Sequence, residues 1–542
     1  MKLNKLQPKL FSCMKTYSKE QCIKDIISGI IVAIIALPLS IALALASGVG
    51  PEEGLYTAIV AGCVISFLGG SRVQIAGPTA AFASIVAGII AVNGFDGLVV
   101  ATVMAGIILV VMGLLGFGNL IKFIPRTITV GFTSGIAVTI AIGQIKDFLG
   151  LTFTHSPVET MEKAAEVVNC IDTLNWQAAL IGLLALAILI VVPKFLKKVP
   201  PSIIAIVVCA AVVKVFDMNV LTIGDLYQIS SELPKFVMPD FSIGTVTAVL
   251  PDAFTIAVLA AVESLLSCVV ADGMIGSRHN SNMELVAQGA GNICSALFGG
   301  IPATGAIART AANIKNGGRT PIAGMVHAVV LLAVLVLLMP YASIIPMPVI
   351  AAILFVVAYN MSEWREFAAI VKTMPKSDIF VLVVTFVLTV VFDLVVAIIV
   401  GFVLATVLFM KRMADVTDVH GWISDDEAGD IRFKKIPENT LVYEITGPLF
   451  FGAADKIADL VNEAKEGAVI VRMRSVPAID ATGLHGFSRI VKACKRKGIT
   501  LIMSHVNEQP MKALVKSGMY DMIGEDNFCA NIDEALERAE KL

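Results

Sequence analysis

Apolar residues fill the first three quarters of the chain in blocks close to the twenty or so residues that carry a helix across a bilayer, and polar residues gather between the blocks. Such runs lie near 27–47, 54–69, 98–117, 128–146, 177–195, 201–216, 246–271, 284–298, 320–340, 348–361, 378–392 and 394–410. Two further runs, 79–92 and 304–315, are apolar but too short to cross. Each follows a stretch punctuated by glycine and proline, GGSRVQIAGPTAAFA from Gly69 and GGIPATGAIARTAANI from Gly299. Counted as half-spans, they give about fourteen segments, and the broken ones are the third and the tenth, the third of each half of seven. Seven is odd, so a second half that repeats the first enters the membrane upside down. Matching breaks then meet near the bilayer midplane, the inverted-repeat plan of secondary transporters.

Beyond residue 412 the pattern changes. Strand-like TLVYEIT, AVIVRMR and TLIMSHV alternate with helical stretches at Ala453 to Lys465, Thr482 to Lys497, Met511 to Lys516 and from Asp533 onward, the pattern of a small α/β sandwich. Charge marks the same boundary, because residues 413–542 hold 37 of the 84 charged residues in less than a quarter of the length. The chain divides into an N-terminal arm (1–25), a transmembrane domain (26–412), a linker (413–434) and a soluble domain (435–542). The lysine-rich arm leads into an apolar run without a small-residue cleavage site, so it is expected to stay attached.

With 57% hydrophobic and 15% charged residues and a mean hydropathy of +0.84, the chain is an integral membrane protein whose first partner is the lipid bilayer. Lys and Arg collect in the even-numbered connections (Arg72, Arg126, Lys194, Arg278, Arg319, Lys372, Lys411), whereas Glu159, Glu162, Glu166, Asp225 and Glu232 fall in odd ones, which places both termini in the cytoplasm. Nine cysteines form no CxxC pair and have no histidine cluster beside them, so no metal or cofactor is expected. Without a GxxxxGK[ST] motif, ATP-driven transport has no support, and nothing points to nucleic acid or to an enzyme.

The breaks carry the chemistry. Val73 to Ile75 favour extended backbone, Gly77 permits a turn, and Pro78 sits well at a helix start, so Thr79 and Ala80 open a short helix. Gly299, Gly300 and Pro302 do the same before a helix from about Thr304. Two helix N-termini aimed at one spot attract an anion through their N–H groups, and Arg309 adds a full charge. The rival reading is close helix packing through small residues. Glu263 lies inside the eighth segment, with Ser267 one turn on, as proton carrier, cation ligand or neutralising partner of Arg309. His279 reads as a solvated turn residue, Asp393 as a cap or hinge, Gln144 as facing the cavity, and Trp364 with Arg365 as an interfacial anchor.

Five motifs in order, GGSRVQIAGPTAAF, AVESLLSCVVADGM, ELVAQGAGNI, GGIPATGAIARTAANIKNGGRTPIAG and VPAIDATGLHGF, resemble the SulP family of sulfate-permease-like anion transporters from about Ile26 onward. NMSEW and GPLFF make the chain most similar to bacterial members of the dicarboxylate-transporting type. The resemblance implies a seven-plus-seven inverted repeat split into core and gate, a homodimer, and a cytoplasmic STAS domain able to dock a protein partner. It places the anion site on Thr79, Ala80, Gly305, Ala306, Ile307, Ala308 and Arg309, with Leu39 and Leu43 lining the cavity. The cation-site motif of its sodium-coupled bicarbonate branch falls on Glu263, Ser267, Gly305 and Ile307, but a shorter acid and a hydroxyl are expected where Glu263 and Ile307 stand. Proton coupling through Glu263 is therefore expected instead of sodium coupling. The function implied is secondary active transport across the cytoplasmic membrane, proton-coupled uptake of C4-dicarboxylates by an elevator-like movement, with sulfate or bicarbonate as the alternative substrate. Two readings of other kinds are an anion-sensing scaffold that signals through the STAS domain and an uncoupled anion channel. Signalling relatives carry a phosphorylated serine after the aspartate of Asp480-Ala481-Thr482-Gly483; alanine here removes that switch and leaves Thr482 as a helix N-cap.

Overall fold

A computed structural model describes residues 6–119, 125–155, 157, 159–196, 200–239, 241–392, 394–421, 436–450 and 467–542. The chain forms two compact units, Met1–Phe402 and Val403–Leu542. The membrane unit opens with a short helix, Lys9–Met14, and continues through α1 (Lys19–Ala46), α2 (Pro51–Leu68), α3 (Ala80–Leu115), α4 (Arg126–Leu149), α5 (Trp176–Phe195), α6 (Pro201–Val215), α7 (Ile243–Ile275), α8 (Ser281–Leu297), α9 (Ile307–Lys315), α10 (Ile322–Leu338), α11 (Met347–Met361), α12 (Lys376–Val391) and α13 (Leu394–Val416). At Gly94, with φ 68° and ψ −176°, α3 leaves helical geometry, so it supplies both the third and the fourth segments. All fourteen expected segments are thus present in order. Among the described residues nine helices are long and apolar enough to cross a membrane, while α6, α8, α9 and α12 are shorter.

The segments sort into two bundles. In one, α3 packs on α7 and α8, α2 on α8 and α10, and α1 on α10 and α2. In the other, α4 packs on α11 and α12, and α5 on α11 and α6. Each bundle draws on both halves of the chain, which is the expected core and gate. Close approach needs missing side chains: a Cβ on Gly106 would lie 2.7 Å from the carbonyl oxygen of Gly289, and one on Gly289 would lie 2.4 Å from that of Gly106. Between α2 and α3 lies β1 (Ala76–Gly77), and between α8 and α9 lies β2 (Thr304–Gly305); they pair antiparallel, Ala76 opposite Gly305 and Gly77 opposite Thr304.

The second unit holds a five-stranded sheet in the order β3 (Asp418–Gly421), β4 (Thr440–Thr446), β5 (Ala468–Ser475), β6 (Thr500–Ser504), β7 (Phe528–Cys529). Only β3 runs antiparallel to its neighbour, and it comes from the stretch read as a linker. One sheet face packs on α14 (Ala481–Lys497), α15 (Glu508–Lys516) and α16 (Met519–Ile523) through Val469, Val471, Phe487 and Leu514. The other packs on α17 (Ile532–Glu540) through Ile470, Ile502 and Leu536. The helix expected at Ala453 to Lys465 and the cap or hinge expected at Asp393 lie outside the described residues. At α14 the N-cap is Asp480 rather than Thr482, its carboxylate accepting from the Gly483 N–H at 2.7 Å. An ionised oxygen there bonds more strongly than a hydroxyl and answers the helix dipole.

Candidate anion site

Backbone groups inside a membrane need partners, and here side chains supply them. In the first break the Glu284 Oε2 accepts from the Gly70 N–H at 2.8 Å and the Ser71 N–H at 3.0 Å. In the second, Asn292 clasps Ala303 through both its amide atoms at 2.8 Å, and Thr57 Oγ1 accepts from the Ile301 N–H at 2.7 Å. Glu284 lies in α8 and Thr57 in α2, so each break is fastened by a helix of the other half. Across the ladder the Ala306 N–H donates to the Ile75 carbonyl at 2.9 Å, Asn313 Nδ2 donates to the Val73 carbonyl at 2.8 Å, and Thr310 Oγ1 accepts from the Ile75 N–H at 3.1 Å.

Because the ladder is antiparallel, α3 and α9 leave its two ends in opposite directions. The residues preceding them, Thr79 and Ala306, are extended, and neither caps its helix with its side chain. Apart from Phe82, whose N–H donates to the Thr79 carbonyl at 3.2 Å, the first-turn N–H groups therefore keep their hydrogen-bonding capacity for another partner. Ala80 and Gly305 are buried, Thr79 and Ala306 are half-buried, and Ile307 and Ala308 are exposed within the protein alone. Arg309, only 1% exposed, reaches from α9 toward the start of α3, where its Nη2 lies 3.2 Å from the Pro78 carbonyl and 3.4 Å from Ser40 Oγ. Its Nε and Nη1 have no hydrogen-bond partner among the described residues. Gly77 makes room for this side chain, since a Cβ there would lie 2.4 Å from Nη1. On the other side of Thr79, its Oγ1 donates to Glu263 Oε2 at 2.9 Å.

Two cavities flank this junction along the same helices. The larger, about 560 Å³, is lined by Ile31, Ile35 and Leu39 of α1 and by Ile353, Val356 and Val357 of α11. The smaller, about 120 Å³, meets Leu45 and Ala46 at the far end of α1 and Met347 and Ile350 at the opposite end of α11. A buried guanidinium with open donors, beside two helix starts without side-chain caps, has the capacity to hydrogen-bond an anion.

Residues 22–385 match the Sulfate permease family, and residues 432–535 match the STAS domain. The chain belongs to the sulfate permease family. It is 42% identical to the "Putative sulfate transporter YvdB" of Bacillus subtilis, over 96% of this chain and 98% of that one. It is 30% identical to the bicarbonate transporter BicA of a Picosynechococcus, over 95% and 94% of the two chains. Its fold is that of the murine Solute Carrier 26 family member A9 anion transporter in the inward-facing state, with a TM-score of 0.88 at 16% identity over 99% of this chain and 94% of that one. This permease is therefore a multi-pass membrane transporter of anions, not an enzyme, with a C-terminal STAS domain.

Several residues of the permease sit differently from expectation. Leu43 is 2% exposed and packs inside the bundle, whereas Leu39 lines the larger cavity. Glu263 does not neutralise Arg309; among the described residues no ion pair joins them, and Glu263 bonds Thr79 instead. Ser267 approaches Thr310 Oγ1 at 3.5 Å, within the packing behind the ladder. Gln144 lines the smaller cavity as expected. His279 is not merely solvated, since it bonds Asp272 at 2.7 Å and Ser281 at 2.9 Å. The residues that fasten the breaks, Glu284, Asn292, Thr57 and Asn313, went unread, although each is a buried polar residue in a membrane segment and so announced itself.

Proposed function

We propose that this permease is a secondary active transporter that carries a small oxyanion, sulfate or bicarbonate, across the cytoplasmic membrane with both termini inside, the anion held where α3 and α9 begin. The observation that carries this reading is the Arg309 guanidinium, buried with Nε and Nη1 unpartnered beside the two uncapped helix starts. One guanidinium and two N-termini of roughly half a charge each amount to about +2, a counterweight to a divalent oxyanion. The names of the relatives favour sulfate and bicarbonate. The C4-dicarboxylate implied by motif resemblance finds no counterpart among them, and succinate enters the test as a competitor.

The same geometry gives a route for proton coupling. With Glu263 ionised, the Thr79 hydroxyl hydrogen is committed to Oε2. When Glu263 takes up a proton it becomes the donor to Thr79 Oγ1, and the Thr79 hydrogen is freed to bond an anion beside it. Proton and anion then enter together, and relative movement of the two bundles exposes both to the other cavity.

Purified full-length protein in proteoliposomes tests this with labelled sulfate, bicarbonate and succinate. The expected result is uptake of sulfate or bicarbonate that rises with an inward proton gradient. Glu263→Gln should retain anion exchange and lose gradient-driven accumulation; accumulation that persists refutes the coupling. Flux of none of the three anions removes the transport reading, and currents far above carrier turnover establish a channel. Residual transport after deletion of residues 435–542 separates a transporter with a regulatory tail from a scaffold.

A further inference from the structure

The smaller cavity lies between the two bundles. One wall is Leu45, Ala46, Ala83 and Ser84; the other includes Thr139, Gln144 and Asp147 of α4. Ala83 stands one helical turn beyond Thr79, so an anion approaching the start of α3 from this side passes through the cavity. Its one cationic lining residue among those described, Lys163, comes from neither bundle. Lys163 belongs to the helix Thr160–Asn169 in the connection between α4 and α5.

That connecting helix is fixed in place. Glu166 is buried and its Oε1 accepts from the Thr154 N–H at 2.9 Å, the Thr154 hydroxyl at 2.6 Å and the Cys170 thiol at 3.4 Å. Those bonds hold its carboxyl down at about 2. Lys163 precedes Glu166 by three residues and so shares its face of the helix. The anchor therefore sets where the lysine stem enters the cavity. Lys163 makes no ion pair among those between described residues, and Asp147 lines the same cavity unjoined to it.

We propose that Lys163 is the recruiting residue for a small oxyanion at this mouth of the transport path, with the Asp147 carboxylate as the built-in competitor for its ammonium. The inference rests on the transport reading above. A fixed cation at a narrow mouth raises the local anion concentration, and a nearby carboxylate lowers that gain. Only the face that opens onto Lys163 should sense either residue.

The test is sided flux of labelled sulfate and labelled bicarbonate through the full-length protein in right-side-out and inside-out membrane vesicles. Lys163→Met should raise the apparent KM about fivefold from one face, leaving kcat and the opposite face unchanged, with Lys163→Arg restoring it. Asp147→Asn should lower KM at that same face, and raising ionic strength should shrink the gap between wild type and Lys163→Met. Wild-type flux together with equal KM changes from both faces, or none in Lys163→Met and Asp147→Asn, overturns the recruiting role alone. Absence of flux of both anions in wild type overturns the transport reading beneath it.

Discussion

The two breaks share a backbone plan but not a division of labour. The first contributes mainly backbone, with Ile75 presenting both its groups and Pro78 and Val73 their carbonyls. The second contributes side chains, because Arg309, Thr310 and Asn313 of the nine-residue α9 all reach across to that backbone. Asn313 is itself held by Ser28 Oγ at 2.7 Å. So α9 both charges the site and splints its opposite number. Inverted repetition supplies a symmetric frame, and the chemistry inside it is free to be one-sided.

Removing the charge should break the comparison most severely. Arg309→Ala is expected to lower anion flux by about two orders of magnitude or more, measured as initial rates in proteoliposomes, whereas Thr79→Ala should cost about tenfold. Equal losses would mean that the two helix starts act alike. Next comes the splint. Asn313→Ala leaves the buried Val73 carbonyl without its donor and should destabilise the fold by about 2 kcal/mol, read as a clear fall in melting temperature in detergent. Gln74→Ala should lower it less, because Gln74 Nε2 is buried without a partner among the described residues and only its Oε1 is bonded, accepting from the Cys268 thiol.

Glycine substitutions sharpen the contrast further. Gly77→Ala collides with Arg309 Nη1 and should reduce flux about tenfold at nearly unchanged stability. Gly305→Ala meets the end of the Gln74 side chain, which can swing aside, so a smaller loss is expected, relieved in the double variant with Gln74→Ala. The smallest effect lies outside the membrane. Glu166 ionises more readily in the folded state than its usual value of 4.5, down at about 2, so the stabilisation it gives the 151–170 connection is full above pH 4.5 and drains away as pH falls toward 2. Hydrogen-exchange protection over that segment, taken relative to the intrinsic exchange rate at each pH, should fall on acidification, and Glu166→Gln should remove that dependence.

The fourteen segments were legible because apolar blocks of span length are separated by glycine, proline and charge, and the breaks because those residues intrude where a helix should continue. Thr79, Ala80 and Arg309 follow from that punctuation. Which way each side chain points does not, because it depends on how a nearly uniformly apolar helix is rotated; hence Leu43 turned inward and Glu263 turned to Thr79 instead of Arg309. The strand Asp418–Gly421 escaped notice because DVHG has neither alternation nor β-branched runs and gains its place by pairing with β4.

The ladder between Ala76–Gly77 and Thr304–Gly305 joins positions more than two hundred residues apart into one grip. An insertion in either strand would shift register in both, so the grip cannot be resized by lengthening one break alone. Residues at its margin that take no part in the ladder, Ala80, Ile307 and Ala308, escape that constraint. Swapping their bulk offers a way to exchange one anion for another while the frame stays as it is, and that is where an engineer of substrate range should begin.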